Sequence, residues 1–529
     1  MRITNKIMQS NSVTNINNNK LLQDKLNTQM STQRKISRPS DDPVIAIRAL
    51  RLRTNLAEIT QYYEKNVPDA QSWMKVTEDA VDTVADVLSN MYKQCQKGSD
   101  DALNSENRAA ILKDLKALRD EVYATGDADY EGRSIFTGFR TESKLLFQTN
   151  EKVPYRITEQ LNPKSISTIK YVNTGSLANV NEGNFNTPGA TTEQGVQESE
   201  VNRIRLSYDT LSQATAATPN PALMVATVAP DGTKTYAPLQ VGGANVKIVP
   251  MSSTTLPSPY EQINAPGNED TVIFVPETGE MLLGSRVTAA IQSLPADTEL
   301  TASYEKEQWD KGDLRPEHYF NCQKNPATVP PTPGAPKEVR YNDDYLKGNV
   351  QDDGKQIISY TVGFNQTIQV NTLASECFTH DIGRDVDELL NASQAVLDME
   401  AAIKRLTSMK GNTKYDQVQV EARLDAANKA HTLLIEKERK LYSAGMTAMK
   451  AYQGRTTLAE TNIGSRGARL DLVKNRLQEQ QSNFKELTAS NEGIEITEVA
   501  VELESATMSY NAALMATGKI IQNSLMDFI

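Results

Sequence analysis

Two sets of positions recur every seven residues over almost fifty residues of this chain. One runs Ile45, Leu52, Ile59, Asn66, Trp73, Ala80 and Val87; the other runs Ala49, Leu56, Tyr63, Ala70, Thr77, Val84 and Met91. A repeat of 3.5 residues slightly under-runs the helical period of 3.6, so such a seam faces a partner helix along its whole length, here over ~70 Å if continuous. A chain with this pattern folds around long helices that need partners. Pro68 predicts a kink or a division into two helices, although the seam stays in phase across it. Asn66, a polar residue at a seam position, is suited to fixing register.

The seam opens after "ISRPSDDPVIAIRAL", Ile36 to Leu50, which sets the carboxylates of Asp41 and Asp42 side by side. A metal or acid/base site would need convergent partners, and the neighbouring sequence supplies only Ser40. As a helix start the stretch is complete. Pro43 fits the first turn, where its missing N–H costs nothing, and Asp42 beside it caps free amides and complements the helix dipole. Ser40, Asp41, Asp42 and Pro43 are therefore read as a loop and cap.

Other stretches carry narrower stripes at steps of three and four, which keep each on one helix face. Ile111, Leu115, Leu118 and Val122 form one; Leu389, Val396, Met399, Ile403 and Leu406 another; Val420, Leu424, Ala427, His431, Leu434 and Leu441 a third. These helical texts occupy the start to about Thr125 and again about Asp385 to Ile529. Between about Leu146 and Phe378 the language changes to short alternating runs such as RIRLSY, TVIFVP and KQIISYTV, split by Gly and Pro, which read as β-strands. The loops NEGNFNTPGATTEQG and NPATVPPTPGAPKE interrupt them, the second proline-dense enough to be extended and poorly ordered. A chain of 529 residues predicts three or four structural units, and 38% hydrophobic residues with only two Trp favour thin helical packing over a thick core. The expected fold is mainly α, a long helical bundle or coiled coil formed by the N- and C-terminal regions, with a β-rich central insert.

The residue supply argues against chemistry. Cys95, Cys322 and Cys377 are widely spaced, without C-x-x-C pairs, and are expected as small buried residues. His318, His380 and His431 are the only histidines; RPEHYFNC lacks the His-x-x-x-His spacing of a zinc helix, and His431 lies among aliphatics as a packed residue. No phosphate loop or Gly-x-Ser-x-Gly turn occurs. No catalytic, cofactor-binding or metal-binding residue is assigned. A net charge of -11 without a basic stripe argues against nucleic acid. An apolar run of about 20 residues is absent, as is the apolar core of a secretory signal, so no membrane span and no ordinary secretion is expected.

The end of the chain is apolar around much of a helix. Ile463, Leu470, Leu477 and Phe484 recur by seven; after a break at SNEG come Val499, Leu503, Ala506, Tyr510, Ala513, Thr517 and Ile520, with Leu514, Ile521, Leu525 and Phe528 beside them. Such a surface needs cover, either from the other terminus, with Ile3, Ile7, Val13, Ile16, Leu22 and Leu26, or from copies of the same chain. Isolated helices of this length are marginal in water. Ordering costs about 1 to 2 kcal/mol per residue, offset by apolar burial at about 25 cal/mol per Å², and a neighbour supplies that area. Ile3, Ile7, Leu514, Ile521, Leu525 and Phe528 are the predicted assembly contacts.

Four stretches together resemble the flagellar hook-filament junction (hook-associated protein 3) family, a relative of flagellin: MRIT at the start, the PSDDP loop, GRSIFTGFRTES from Gly132, and ESATMSYNAALMATGKIIQNSLMDFI from Glu504. GFNQTIQVN, Gly363 to Asn371, extends the likeness. Flagellin is similar at both ends, but Ser40 to Pro43 and Ile135 to Phe139 favour the junction family. The resemblance implies an antiparallel arrangement with residues 1–33 and 490–529 as a terminal coiled-coil assembly domain, 34–140 with 383–489 as a helical bundle, and 141–382 as an outer insert. It implies a mechanical adaptor of the extracellular flagellum, exported unfolded through the flagellar type III apparatus. Its partners would be copies of itself in a ring, the adjacent hook-associated protein, flagellin and an export chaperone. Two rivals stay open: a flagellin-type filament subunit, and an enzyme domain in the central insert, where this chain is longer than shorter members.

Overall fold

The computed structural model describes residues 5–100, 103–186, 195–212, 223–230, 233–239, 241, 245–251, 257–326, 336–346 and 356–526. Ten α-helices are described: α1 (Asn5–Thr32), α2 (Pro43–Gln61), α3 (Val67–Gly98), α4 (Ser105–Thr125), α5 (Pro259–Gln262), α6 (Ser285–Gln292), α7 (Ala374–Cys377), α8 (His380–Met409), α9 (Gln417–Glu492) and α10 (Ile496–Met526). Helical ends therefore flank a β-rich centre, as the sequence reading expects. The chain divides into two compact units, one within Met1–Gln71, Tyr360–Ile368 and Gly467–Ile529, the other within Ser72–Ser359 and Gln369–Arg466.

In the first unit, Asp42 caps α2: its Oδ1 accepts the amides of Val44 at 2.9 Å and Ile45 at 3.1 Å, and Pro43 occupies the first turn. The expected division near Pro68 takes the form of two helices, α2 and α3, that follow one continuous run of helical backbone. A π-helical turn, Tyr62–Asn66, joins α2 to α3, and the Val67 amide bonds back to the Tyr62 carbonyl. One wide turn absorbs the proline's missing N–H without breaking the helical path. Asn66 donates its side-chain amide to the Thr361 carbonyl at 2.7 Å, in the hairpin of Ser359–Gly363 and Gln366–Gln369. Its partner is a strand rather than a seam residue.

The second unit holds the remainder of the seam. Trp73, Ala80, Val87, Thr77, Val84 and Met91 are buried, and so are Met74, Val81, Leu88 and Cys95, one heptad position further round. The buried face is thus wider than a two-stranded coiled coil needs, which suits a bundle. Ile111, Leu115 and Val122 of α4 are buried, as are Leu389, Val396, Met399 and Leu406 of α8. Ala426, Ala427 and Ala430 of α9 pack with that α8 stripe in one cluster, their small side chains allowing close approach.

The insert is built from strands β1 (Asp129–Tyr130), β2 (Arg133–Ser134), β3 (Glu151–Leu161), β4 (Ile166–Asn173), β5 (Gln197–Arg205), β6 (Leu223–Val228), β7 (Lys234–Pro238), β8 (Asn245–Ile248), β9 (Thr271–Val275), β10 (Glu280–Leu283), β11 (Leu300–Trp309), β12 (Asn321–Lys324) and β13 (Val339–Tyr341), with β14 (Ser359–Gly363) and β15 (Gln366–Gln369) forming the late hairpin. One sheet has the order β13-β12-β3-β11-β6-β7, another β4-β5-β10-β9-β8, with β8 parallel to β9. A single core joins both sheets: Tyr155, Ile157 and Tyr304 from the first, Ile204, Phe274 and Met281 from the second, and Val287 and Ile291 of α6. TVIFVP is strand β9, whereas RIRLSY leaves the sheet after Arg205. Residues 187–194 and 327–335, within the two predicted loops, lie outside the described residues.

The GRSIFTGFRTES stretch ties the base of this insert to the helices. Arg133 lies over the Trp73 ring at 5.1 Å, Phe136 packs edge-on against Phe378 at 4.8 Å, and Arg140 donates to the Glu317 carbonyl and to Asn342. Gly138 sits at φ +61°, where a side chain would be strained and would meet Gln356.

Candidate assembly surface

α1 is a weak helix by composition, rich in Asn, with Thr14, Thr28 and Thr32 hydroxyls bonding back to carbonyls four residues earlier. It is held by α10. Gln23 donates to Thr507 at 3.2 Å, Leu26 packs with Val499 and Ala506, and Met30, Ile494 and Leu503 border that cluster. Rising numbers on α1 meet falling numbers on α10, so the pair is antiparallel.

The connection at the end of this pair is specified in detail. Gln33 takes the left-handed conformation, φ +56°, that commonly ends a helix. Arg34 then bridges Gly493 in antiparallel pairing and the Lys35 amide reaches the Glu492 carbonyl at 2.7 Å. A Cβ at Gly493 would stand 2.5 Å from the Ala489 carbonyl, which accounts for the glycine in the predicted SNEG break between α9 and α10. Arg53 pairs with Glu492, and Asn491 donates to the Ile45 carbonyl at 3.3 Å. Asp41 organises the turn before α2: its Oδ2 accepts the amides of Arg38 at 2.8 Å and Ser37 at 3.0 Å, which hold its carboxyl below the usual range. Ser40 and Pro43 are exposed. Each acidic side chain is engaged with backbone amides, one for the turn and one for the helix start.

Of the predicted contacts, Ile7 is 49% exposed and Leu514 43% exposed. Ile3 lies outside the described residues, as do the side chains of Ile521, Leu525 and Phe528. Among the described side chains of α1 only Leu26 is buried, while Val13, Leu21 and Leu22 remain exposed. α10 also exposes Val501, Met508 and Met515, a third phase spaced by seven that the stronger neighbouring stripes obscure in the sequence.

Elsewhere, charged groups of the second unit pair with one another around a cavity. A cavity of about 370 Å³ in the second unit is lined by Arg203, Arg205, Arg384 and Lys437 together with Glu280 and Glu388. Arg203 pairs with Glu280 and Glu388, and Arg205 with Asp385 and Glu388. The three cysteines are buried and unbridged, and burial pushes the Cys95 and Cys377 thiols up to about 12. Burial also lowers His318 to about 4 and His380 to about 3, leaving both neutral at neutral pH. His431 stands 3.5 Å from Glu400 on the packed face. Among the described residues no group of three or more His, Cys, Asp and Glu converges to hold a metal, and no helix is long and apolar enough to cross a membrane.

Comparison with known proteins places the N-terminal part of this geometry. Residues 3–141 match the bacterial flagellin N-terminal helical region. This stretch is flagellin-like. The likeness to hook-associated protein 3 read from the PSDDP and IFTGF stretches is also borne out. The flagellar hook-associated protein 3 of Salmonella typhimurium and that of Escherichia coli are each 28% identical over 144 residues, which is 27% of this chain and 45% of each relative. The chain thus spans under half the length of the curated relatives it matches. FlgL of Xanthomonas campestris, a solved structure, shares 11% identity over 82% of this chain and 99% of that chain, with a TM-score of 0.25.

Proposed function

We propose that this chain is a structural, non-enzymatic subunit of the bacterial flagellum that joins hook-associated proteins to the flagellin filament. The observation that carries this reading is the half-covered helical pair: α1 and α10 bury one short seam and leave Ile7, Leu21, Leu22, Val501, Met508 and Met515 in water. Helices so incompletely covered gain order when neighbours remove that surface. The flagellin-type N-terminal region and the hook-associated relatives supply the setting. In this reading residues 1–33 with 490–529 form the assembly domain, 34–140 with 383–489 the bundle and 141–382 the outer part. Copies of the chain form a ring between a hook-associated neighbour and flagellin, after chaperone-assisted export through the flagellar type III apparatus. Burial on assembly converts marginal terminal helices into rigid ones.

Imaging cells that lack the chain tests the proposal. Hooks without filaments, with flagellin lost to the medium, is the expected phenotype; normal filaments contradict the junction role.

A further inference from the structure

The chain is acidic overall, yet charge is segregated along the first unit. From Arg34 to Arg53 stand six basic residues, Arg34, Lys35, Arg38, Arg48, Arg51 and Arg53, against only Asp41 and Asp42. From Glu495 to Gly518 stand four glutamates, Glu495, Glu498, Glu502 and Glu504, and no Lys or Arg. The whole-chain charge of -11 conceals this local basic segment.

Each segment also presents an uncovered apolar stripe. On α2, Val44, Ile47 and Leu50 are 60%, 55% and 68% exposed. Their steps of three place them on one face, with Arg48 one turn after Val44 and Arg51 one turn after Ile47. On α10, Val501, Met508 and Met515 are 67%, 63% and 72% exposed, with Glu498 one turn before Val501 and Glu504 one turn before Met508. Asp41 and Asp42 are engaged with local amides and Arg53 with Glu492. Among the described residues none pairs with Arg48 or Arg51, nor with the carboxylates of Glu498 or Glu504.

We infer that a second copy of this chain covers both stripes: the α2 face of one copy seats on the α10 face of the next. Val44, Ile47 and Leu50 pack against Val501 and Met508 while Arg48 and Arg51 pair with Glu498 and Glu504. The stripes match in length, ~9 Å from Val44 to Leu50 and ~10 Å from Val501 to Met508 at the helical rise. The flexible Met508 side chain adapts to the branched residues opposite. Because the two patches differ, the contact is head-to-tail, and it passes from copy to copy instead of closing a two-fold pair. The inference rests on the proposed flagellar role and specifies which faces meet.

Charge reversal tests it in cells lacking the native chain, with full-length variants quantified in isolated flagella and in the medium. Arg48→Glu with Arg51→Glu, or Glu498→Arg with Glu504→Arg, places like charges face to face. Each pair is expected to lower incorporation by about tenfold or more, the variant accumulating in the medium. Combining all four substitutions in one chain re-creates opposite charges and is expected to restore incorporation, as is co-expression of the two single-face variants. Normal incorporation of either single-face variant overturns the inference but leaves the flagellar role standing. Equal loss in the four-substitution chain overturns it too, because the charges would then not face one another. Absence of the unaltered chain from flagella overturns both.

Discussion

Arg108 provides the sharpest energetic test of how the helical bundle is held. It begins on the first turn of α4, is 2% exposed, and directs its Nε at both carboxylate oxygens of Glu438, at 2.9 and 3.1 Å, while Nη1 reaches Glu400 at 3.0 Å. Glu438 is itself 1% exposed, so solvent cannot compensate it. Arg108→Met keeps the aliphatic stem but strands that carboxylate in a dry interior. Breaking a buried pair in this way costs about 3–5 kcal/mol, more than a hundredfold in the folding equilibrium. Arg108→Met with Glu438→Leu removes both charges and is expected to recover most of the loss. Denaturant unfolding followed by tryptophan fluorescence measures this cleanly, because both tryptophans, Trp73 and Trp309, belong to the second unit. A single-variant loss under about 1 kcal/mol, or a double variant as unstable as the single, refutes the reasoning.

His380 is buried among Tyr208, Tyr319 and Phe320 near Arg384, and its folded pKa of about 3 lies below the ordinary 6.5. The unfolded state therefore binds the extra proton, and the second unit should lose stability as pH falls from about 6.5 toward 3; His380→Phe should flatten that slope in pH-dependent melts. Asp42→Ala removes the acceptor for the Val44 and Ile45 amides and should cost about 1 kcal/mol, read as faster hydrogen exchange at those two amides, with Asp42→Asn largely neutral. Leu525→Asp with Phe528→Asp should leave the tryptophan-monitored unfolding of the second unit unchanged while abolishing incorporation into flagella.

The sequence is most legible where structure is local. The seven-residue spacing marks the buried side of α3 before any coordinate is known, and Asp42–Pro43 marks the helix start because caps act over three residues. The SNEG break is legible for the same reason. Pro68 shows the limit of that logic: a proline signals a disturbed ladder, but whether the helix kinks, stops or widens by one π-turn depends on the neighbouring packing. Asn66 likewise meets a hairpin carbonyl 295 residues away in sequence. The β-rich centre is recognisable from alternation, whereas the sheet orders and the parallel β8–β9 pair arise from long-range pairings that no local pattern encodes. Arg108 and Arg203 look like ordinary surface arginines until the fold brings Glu438, Glu280 and Glu388 to them. The candidate surface is legible as an excess of apolar residues at both ends; its division into basic and acidic faces emerges only when exposure separates Val44, Ile47 and Leu50 from the seam residues beside them.

Amide hydrogen exchange on the isolated full-length chain tests the central claim most directly, by comparing α1 and α10 with α8 and with residues 417–466 of α9. Thinly covered terminal helices predict rapid exchange along α1 and α10 in the free chain, slow exchange in the second unit, and strong protection of both ends once the chain is incorporated in flagella. Terminal amides already as protected in the free chain as those of α8 would show that the ends are complete without neighbours, and would contradict the account.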